Sequence, residues 1–109
     1  MKIKNIRHTG IVVKNLNKSL NFYKNLLGFK IKKRMIESGK ATDKLSRLKK
    51  TKIETVKMII GQNNDMIELL YFHSHKRKSF DNKYNISRIG ISHFALTVKN
   101  IDLLYKNLK

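Results

Sequence analysis

The chain contains no cysteine, no proline and no tryptophan, and its 7 acidic residues are far outnumbered by 25 lysines and arginines. Without cysteine there is no disulfide framework, no thiolate metal site and no cysteine nucleophile, so any metal must be held by nitrogen and oxygen. No run of apolar residues approaches the length of a membrane span, and the opening MKIKNIRHTG lacks the apolar block of a secretory signal. A cytoplasmic location is the expectation. At 109 residues the chain is long enough for one domain and one core, not two.

The net charge of +18 raises the possibility of a nucleic-acid partner. The basic residues are scattered, however: KIKK, RLKKTK and HKRK lie in three separate segments with no interleaved aromatics. Abundant lysine, asparagine and isoleucine with absent proline and tryptophan is also what AT-rich codons impose. The charge therefore reads as a solvated surface, with a basic rim for an anionic small substrate as the second reading, and no nucleic-acid partner is expected.

Along the chain, IRHTGIVV is β-branched and weakly alternating, a strand with Ile6, His8, Gly10 and Val12 on one face. NLNKSLNFYKNLLGF switches to helical period: Leu16, Leu20, Tyr23 and Leu27 form one stripe, Asn15 or Asn17 can cap its start, and Gly28 fits a left-handed C-terminal cap. FKIKKRMI alternates as a strand with one wet face. ESGKATDKLSRLKKT reads as a connection with a short helix at TDKLSRL, and KIETVKMII and MIELLYF read as strands around a GQNND turn. HSHKRKSFDNKYNIS has no periodicity and reads as a linker, in which His73 and His75 are solvated. IGISHFALTV returns to strand and NIDLLYKNLK to helix.

The tail repeats the opening. Placing His8 on His93 also places VKNL on VKNI, and after a three-residue gap YKNL on YKNL. Such a repeat signals a duplicated supersecondary unit whose apolar face is covered by its copy. The expected fold is α+β: a βαβββ module over about 4–73, a linker over about 74–88, and a βα start of a second module over about 89–109.

The recurring histidines and one carboxylate are the candidate chemistry. A lone strand histidine is ordinarily a hydrogen-bonded core residue. Glu68, among MIELL, shares a face with Met66 and Leu70, where an unpaired charge costs several kcal/mol as a rough figure. Two equivalent histidines plus that carboxylate point toward a borderline divalent ion such as zinc, nickel, iron or manganese.

The run IRHTGIVVKNLNKSLNFYKNLLGFKI, then MIELLYF, then GISHFALTVKNIDLLY resembles the vicinal oxygen chelate superfamily, which includes glyoxalase I, methylmalonyl-CoA epimerase, extradiol dioxygenases and the fosfomycin and bleomycin resistance proteins. The resemblance implies paired βαβββ modules around a cleft, with a divalent metal held by both. It assigns His8 and Glu68 as ligands from the first module and His93 from the second, a set closer to the glyoxalase I pattern than to the epimerase pattern. It further implies a small substrate with two neighbouring oxygens, an enediolate or enolate stabilised by the metal, Glu68 as ligand and candidate base, and a possible homodimer.

Three functions follow as expectations: a metal-dependent lyase or isomerase of glyoxalase type, including an epimerase; a metal-free small-molecule binding or resistance protein; and a basic nucleic-acid-associated protein. The family's fourth ligand, a glutamate on the second module's last strand, has no position before Lys109. The chain is therefore expected to be a piece of a protein about forty residues longer, judged by the size of the first module, or to complete itself with another copy. Arg7 faces away from His8, Phe22 and Tyr23 read as helix packing, and Lys32, Lys33 and Arg34 as a wet face able to attract a carboxylate or phosphate.

Overall fold

The computed structural model describes residues 1–75 and 86–109. They belong to two units, Met1–Arg77 and Lys78–Lys109. The expected linker, 74–88, falls mostly outside the described residues.

The first unit is a four-stranded sheet with helices at its connections. β1 (Thr9–Val12) leads into α1 (Leu16–Leu20), which widens into a π-helical turn, Asn21–Leu26. β2 (Lys30–Ser38), the short α2 (Lys40–Ser46), β3 (Lys52–Ile60) and β4 (Asp65–Phe72) follow. The strand order is β1-β4-β3-β2, with β1 parallel to β4 and the other pairs antiparallel. The apolar MIELLYF segment is thus an interior strand. The α+β class expected from the pattern is the class observed.

The local signals act as their chemistry dictates. The Asn15 side chain accepts the Lys18 backbone N–H at 3.0 Å and starts α1. At the other end Leu27 N–H reaches the Phe22 carbonyl at 3.0 Å, a five-residue span that widens the last turn. Gly28 then takes a φ of 82°, the left-handed conformation glycine adopts without steric cost, and the chain turns into β2. Gly61 and Asn64, both left-handed, close the β3–β4 hairpin.

The expected stripe of α1 covers one face of the sheet. Leu16, Val13 and Phe29 are buried with Val56 and Met58 of β3 and Ile67 and Leu69 of β4, and Leu20, Tyr23 and Leu27 pack against them. Each such side chain removed from water stabilises by about 1.5–3 kcal/mol. Tyr23 meets Phe29 edge-on at 5.6 Å. Since alternate residues face opposite ways, the other face carries Ile53, Thr55, Lys57 and Ile59 of β3 and Met66, Glu68 and Leu70 of β4.

β2 departs from the expected strand with one wet face, being exposed on both sides along almost its whole length. It is an edge strand, and a bulge between Ile31 and Lys33 leaves Lys32 without a partner. Lys33, Met35 and Glu37 consequently share one face and Arg34 and Ile36 the other.

The second unit contains α3 (Ile101–Leu108), started by Asn100, whose side chain accepts the Leu103 backbone N–H at 3.0 Å. Residues 91–98, expected as a strand, form none and are exposed. A strand exists only through its ladder, and among the described residues no second strand pairs with this one.

Candidate metal centre

His8 and Glu68 are brought together by the parallel β1–β4 pair. The register sets Gly10 opposite Glu68, and His8, one residue before β1, turns its imidazole toward the same carboxylate. His8 Nε2 lies 3.7 Å from Glu68 Oε1. That gap is too wide for a hydrogen bond. It is within the separation of about 4.4 Å or less open to two donors that each sit about 2.0–2.2 Å from one ion. Both side chains are partly shielded from solvent, at 30% and 14% exposure.

The second oxygen of Glu68 is also engaged. Lys57, directly across the β3–β4 hairpin, places its Nζ 3.9 Å from Oε2. The charge that looked unpaired in an apolar strand has a cation beside it, so the burial of Glu68 does not by itself require a metal. Counting outward from the GQNND turn pairs Lys57 with Glu68, and that count is the sequence signal that identifies this partner.

The donor set suits a borderline divalent ion, an imidazole nitrogen beside a carboxylate oxygen. The surroundings of His8 are less complete. Its Nδ1 is buried and has no hydrogen-bond partner, whereas a metal-bound imidazole ordinarily gives its other N–H to an acceptor. His93 belongs to the second unit, where its Nδ1 lies 2.7 Å from the Ser92 hydroxyl, leaving Nε2 as its nitrogen available to a ligand. Among the described residues no group of three or more histidine, aspartate and glutamate side chains stands close enough to hold an ion. Two of the three expected donors, His8 and Glu68, are therefore brought together, and no third stands with them among the described residues.

A second polar cluster, missed by sequence reasoning, lies on the opposite face beyond Tyr71. Glu54 accepts from Arg34 Nε at 2.5 Å and lies 3.0 Å from His73 Nε2. Hydrogen bonds from His73 and then Arg34 hold the Glu54 carboxyl below its ordinary range. His73, exposed as expected, also closes the end of the sheet: its ring meets Tyr71 edge-on at 4.8 Å, and its backbone N–H donates to the Lys52 carbonyl at 2.8 Å. Arg34 is thereby engaged away from the Glu68 face. Asp43 similarly ties the α2–β3 connection, accepting the Lys50 and Thr51 backbone N–H groups at 3.1 and 2.8 Å. Hydrogen bonding from Thr51, first through its side chain, lowers the Asp43 carboxyl.

A strand entered from a histidine, a helix with a widened end and three further strands, with a carboxylate facing the histidine, are the parts of a glyoxalase-type module. The chain belongs to the Glyoxalase/Bleomycin resistance protein/Dioxygenase superfamily, whose family model matches residues 5–109. A glyoxalase family protein from Bacillus cereus is similar in structure, with a TM-score of 0.87 at 20% identity over 99% of this chain and 72% of that one. The trypanothione-dependent glyoxalase I of Leishmania major is similar with a TM-score of 0.65 at 22% identity, over 97% of this chain and 65% of that one. No curated protein matches the sequence.

Proposed function

We propose that the protein is a metal-dependent lyase or isomerase of glyoxalase type, acting on a small substrate with two neighbouring oxygens. His8 and Glu68 of the first module (about 4–73) and His93 of the second (about 89–109) are its ligands to a divalent ion, zinc, nickel, iron or manganese. The observation that carries the reading is the approach of His8 Nε2 to Glu68 Oε1 on the face that the hydrophobic core does not use. Family membership supports it. Such an ion supplies a Lewis acid for the substrate's oxygens. Glu68, with one oxygen toward His8 and the other toward Lys57, is held in place as a carboxylate positioned to take a proton from the adjacent carbon.

Titration of the metal-free protein with Ni²⁺ or Zn²⁺ in a calorimeter tests this. One ion per chain is expected, with His8→Ala, Glu68→Ala and His93→Ala each abolishing tight binding; unchanged stoichiometry in either histidine variant would overturn the assignment. A second reading, a metal-free small-molecule binding protein of the same fold, draws on the Lys57–Glu68 ion pair, which satisfies the carboxylate without an ion. It predicts no tight binding of either metal by the unmutated chain. Among the described residues no helix is long and apolar enough to cross a membrane.

A further inference from the structure

We infer that the sheet face bearing His8 and Glu68 also carries an anion subsite, formed by Lys57 and Lys33 with Lys30 beside them, which takes the carboxylate or phosphate of a small substrate. The inference names a substrate class for the proposed lyase or isomerase and rests on that reading for its meaning. The binding step itself needs no metal.

The register sets the subsite. Lys33 of β2 is opposite Lys57 of β3, Lys57 is opposite Glu68 of β4, and Glu68 is opposite Gly10 of β1, so the four residues form one row across the sheet. Cross-strand partners on one face have Cβ atoms about 4.5–5.5 Å apart, and like charges at that spacing destabilise the pair. Lys33 and Lys57 are such a pair. The bulge at Lys32 adds Lys30, paired with Ile59, to the same side. Against these three cations the row offers one carboxylate, Glu68, which reaches Lys57 at 3.9 Å. No ion pair to Lys33 or Lys30 occurs among the described side chains. The row therefore has an excess of positive charge with no protein counter-ion.

Its setting favours a ligand rather than bulk solvent as the compensating charge. The Lys57 side chain is only 23% exposed, among Ile59 and Leu70 of the same face, where screening by water is weakened. At the β1 end Gly10 contributes no side chain, Leu70 fills the space a Cβ there would take, at 3.2 Å, and His8 flanks Glu68 at 3.7 Å, so the open part of the row is its lysine end. Arg34, the neighbouring cation of β2, is already engaged by Glu54 on the opposite face and does not compete. Lysines act here as point charges that accept either anion, so the shared chemistry is an anionic oxygen group.

The test is a titration of the metal-free full chain with inorganic phosphate and, separately, acetate at constant ionic strength, followed by amide NMR shifts. Saturable shifts are expected at Lys33, Lys57 and Glu68, with the tighter anion identifying the substrate's group. Lys57→Met and Lys33→Met should each weaken binding about tenfold, the scale of one lost charge-assisted contact. Glu68→Gln should tighten it by relieving repulsion and freeing Lys57. Lys18→Met, on α1 and outside the row, should change nothing. If Lys57→Met does not fold, Lys57→Arg with Lys33→Met carries the same test: the arginine should retain binding and the methionine lose it. Shifts spread evenly over all basic segments, or unchanged affinity in Lys33→Met, would overturn the subsite. Phosphate or acetate binding by a chain that binds neither Ni²⁺ nor Zn²⁺ would leave the subsite standing and remove the lyase reading.

Discussion

The two copies of the repeat share a motif, a histidine followed by VKNL or VKNI and then YKNL, and diverge in what they build around it. Asn15 and Asn100 hold nearly the same backbone, with φ and ψ of −136° and 105° in one and −139° and 97° in the other, and each caps its helix by accepting the N–H three residues on. The segments just before them differ. Thr9–Val12 is a strand because β4 lies beside it, whereas the equivalent SHFALTV segment forms no strand. A cap is a contract between residues three apart and is honoured wherever the motif appears. A strand depends on a distant neighbour, which a similar motif cannot supply.

Core substitutions should separate the copies most sharply. Leu69→Ala, in the fully buried centre of the first copy's sheet, is expected to cost about 2–5 kcal/mol in urea unfolding. Leu103→Ala, on a half-exposed position of α3, should stay within about 0.5 kcal/mol. Equal losses would show that the second copy's apolar residues carry as much of the folded state as the first's. The caps come next: Asn15→Ala and Asn100→Ala should each cost their own helix about 1 kcal/mol, seen as faster amide exchange in the first turn. A silent Asn100→Ala would mean that matched geometry conceals unmatched work.

The smallest expected effect concerns acid. Glu54 has a lowered carboxyl in the folded state, so its contribution is present above its unfolded value of about 4.3 and is lost as the pH falls through the lower folded value. Glu54→Gln should lose that contribution at neutrality and flatten the acid limb of the stability curve below about pH 4.3, so that variant and unmutated chain converge in acid. A parallel acid limb in the variant would show that the Arg34–Glu54–His73 cluster does not link folding to protons. Asp43→Asn should act in the same direction, because its carboxyl is also lowered by hydrogen bonds.

What was legible in the sequence was local or periodic. The stripe of Leu16, Leu20, Tyr23 and Leu27, the cap at Asn15, the left-handed Gly28 and the short helix after β2 each follow from residues within a few positions of one another. The meeting of His8 with Glu68 was foreshadowed by a carboxylate in an apolar strand. Lys57 escaped because its role depends on hairpin register rather than on its neighbours in sequence. The partner of His73 escaped for a similar reason, since the residue is exposed as the polar tract suggested but is also held by Glu54 from β3. The widened turn at Asn21–Leu26 and the bulge at Lys32 left no mark in the hydrophobic pattern, because each shifts the register by a single residue.

That unpaired lysine governs how the rest of β2 is spelled. Every residue from Lys33 to Ser38 takes its side of the sheet from the spare position at Lys32, as a sentence takes its sense from where a letter is inserted. Deleting Lys32 would join Ile31, opposite Met58, directly to Lys33, opposite Lys57, so that every other pair of β2 is kept and only the local bend of the strand is lost.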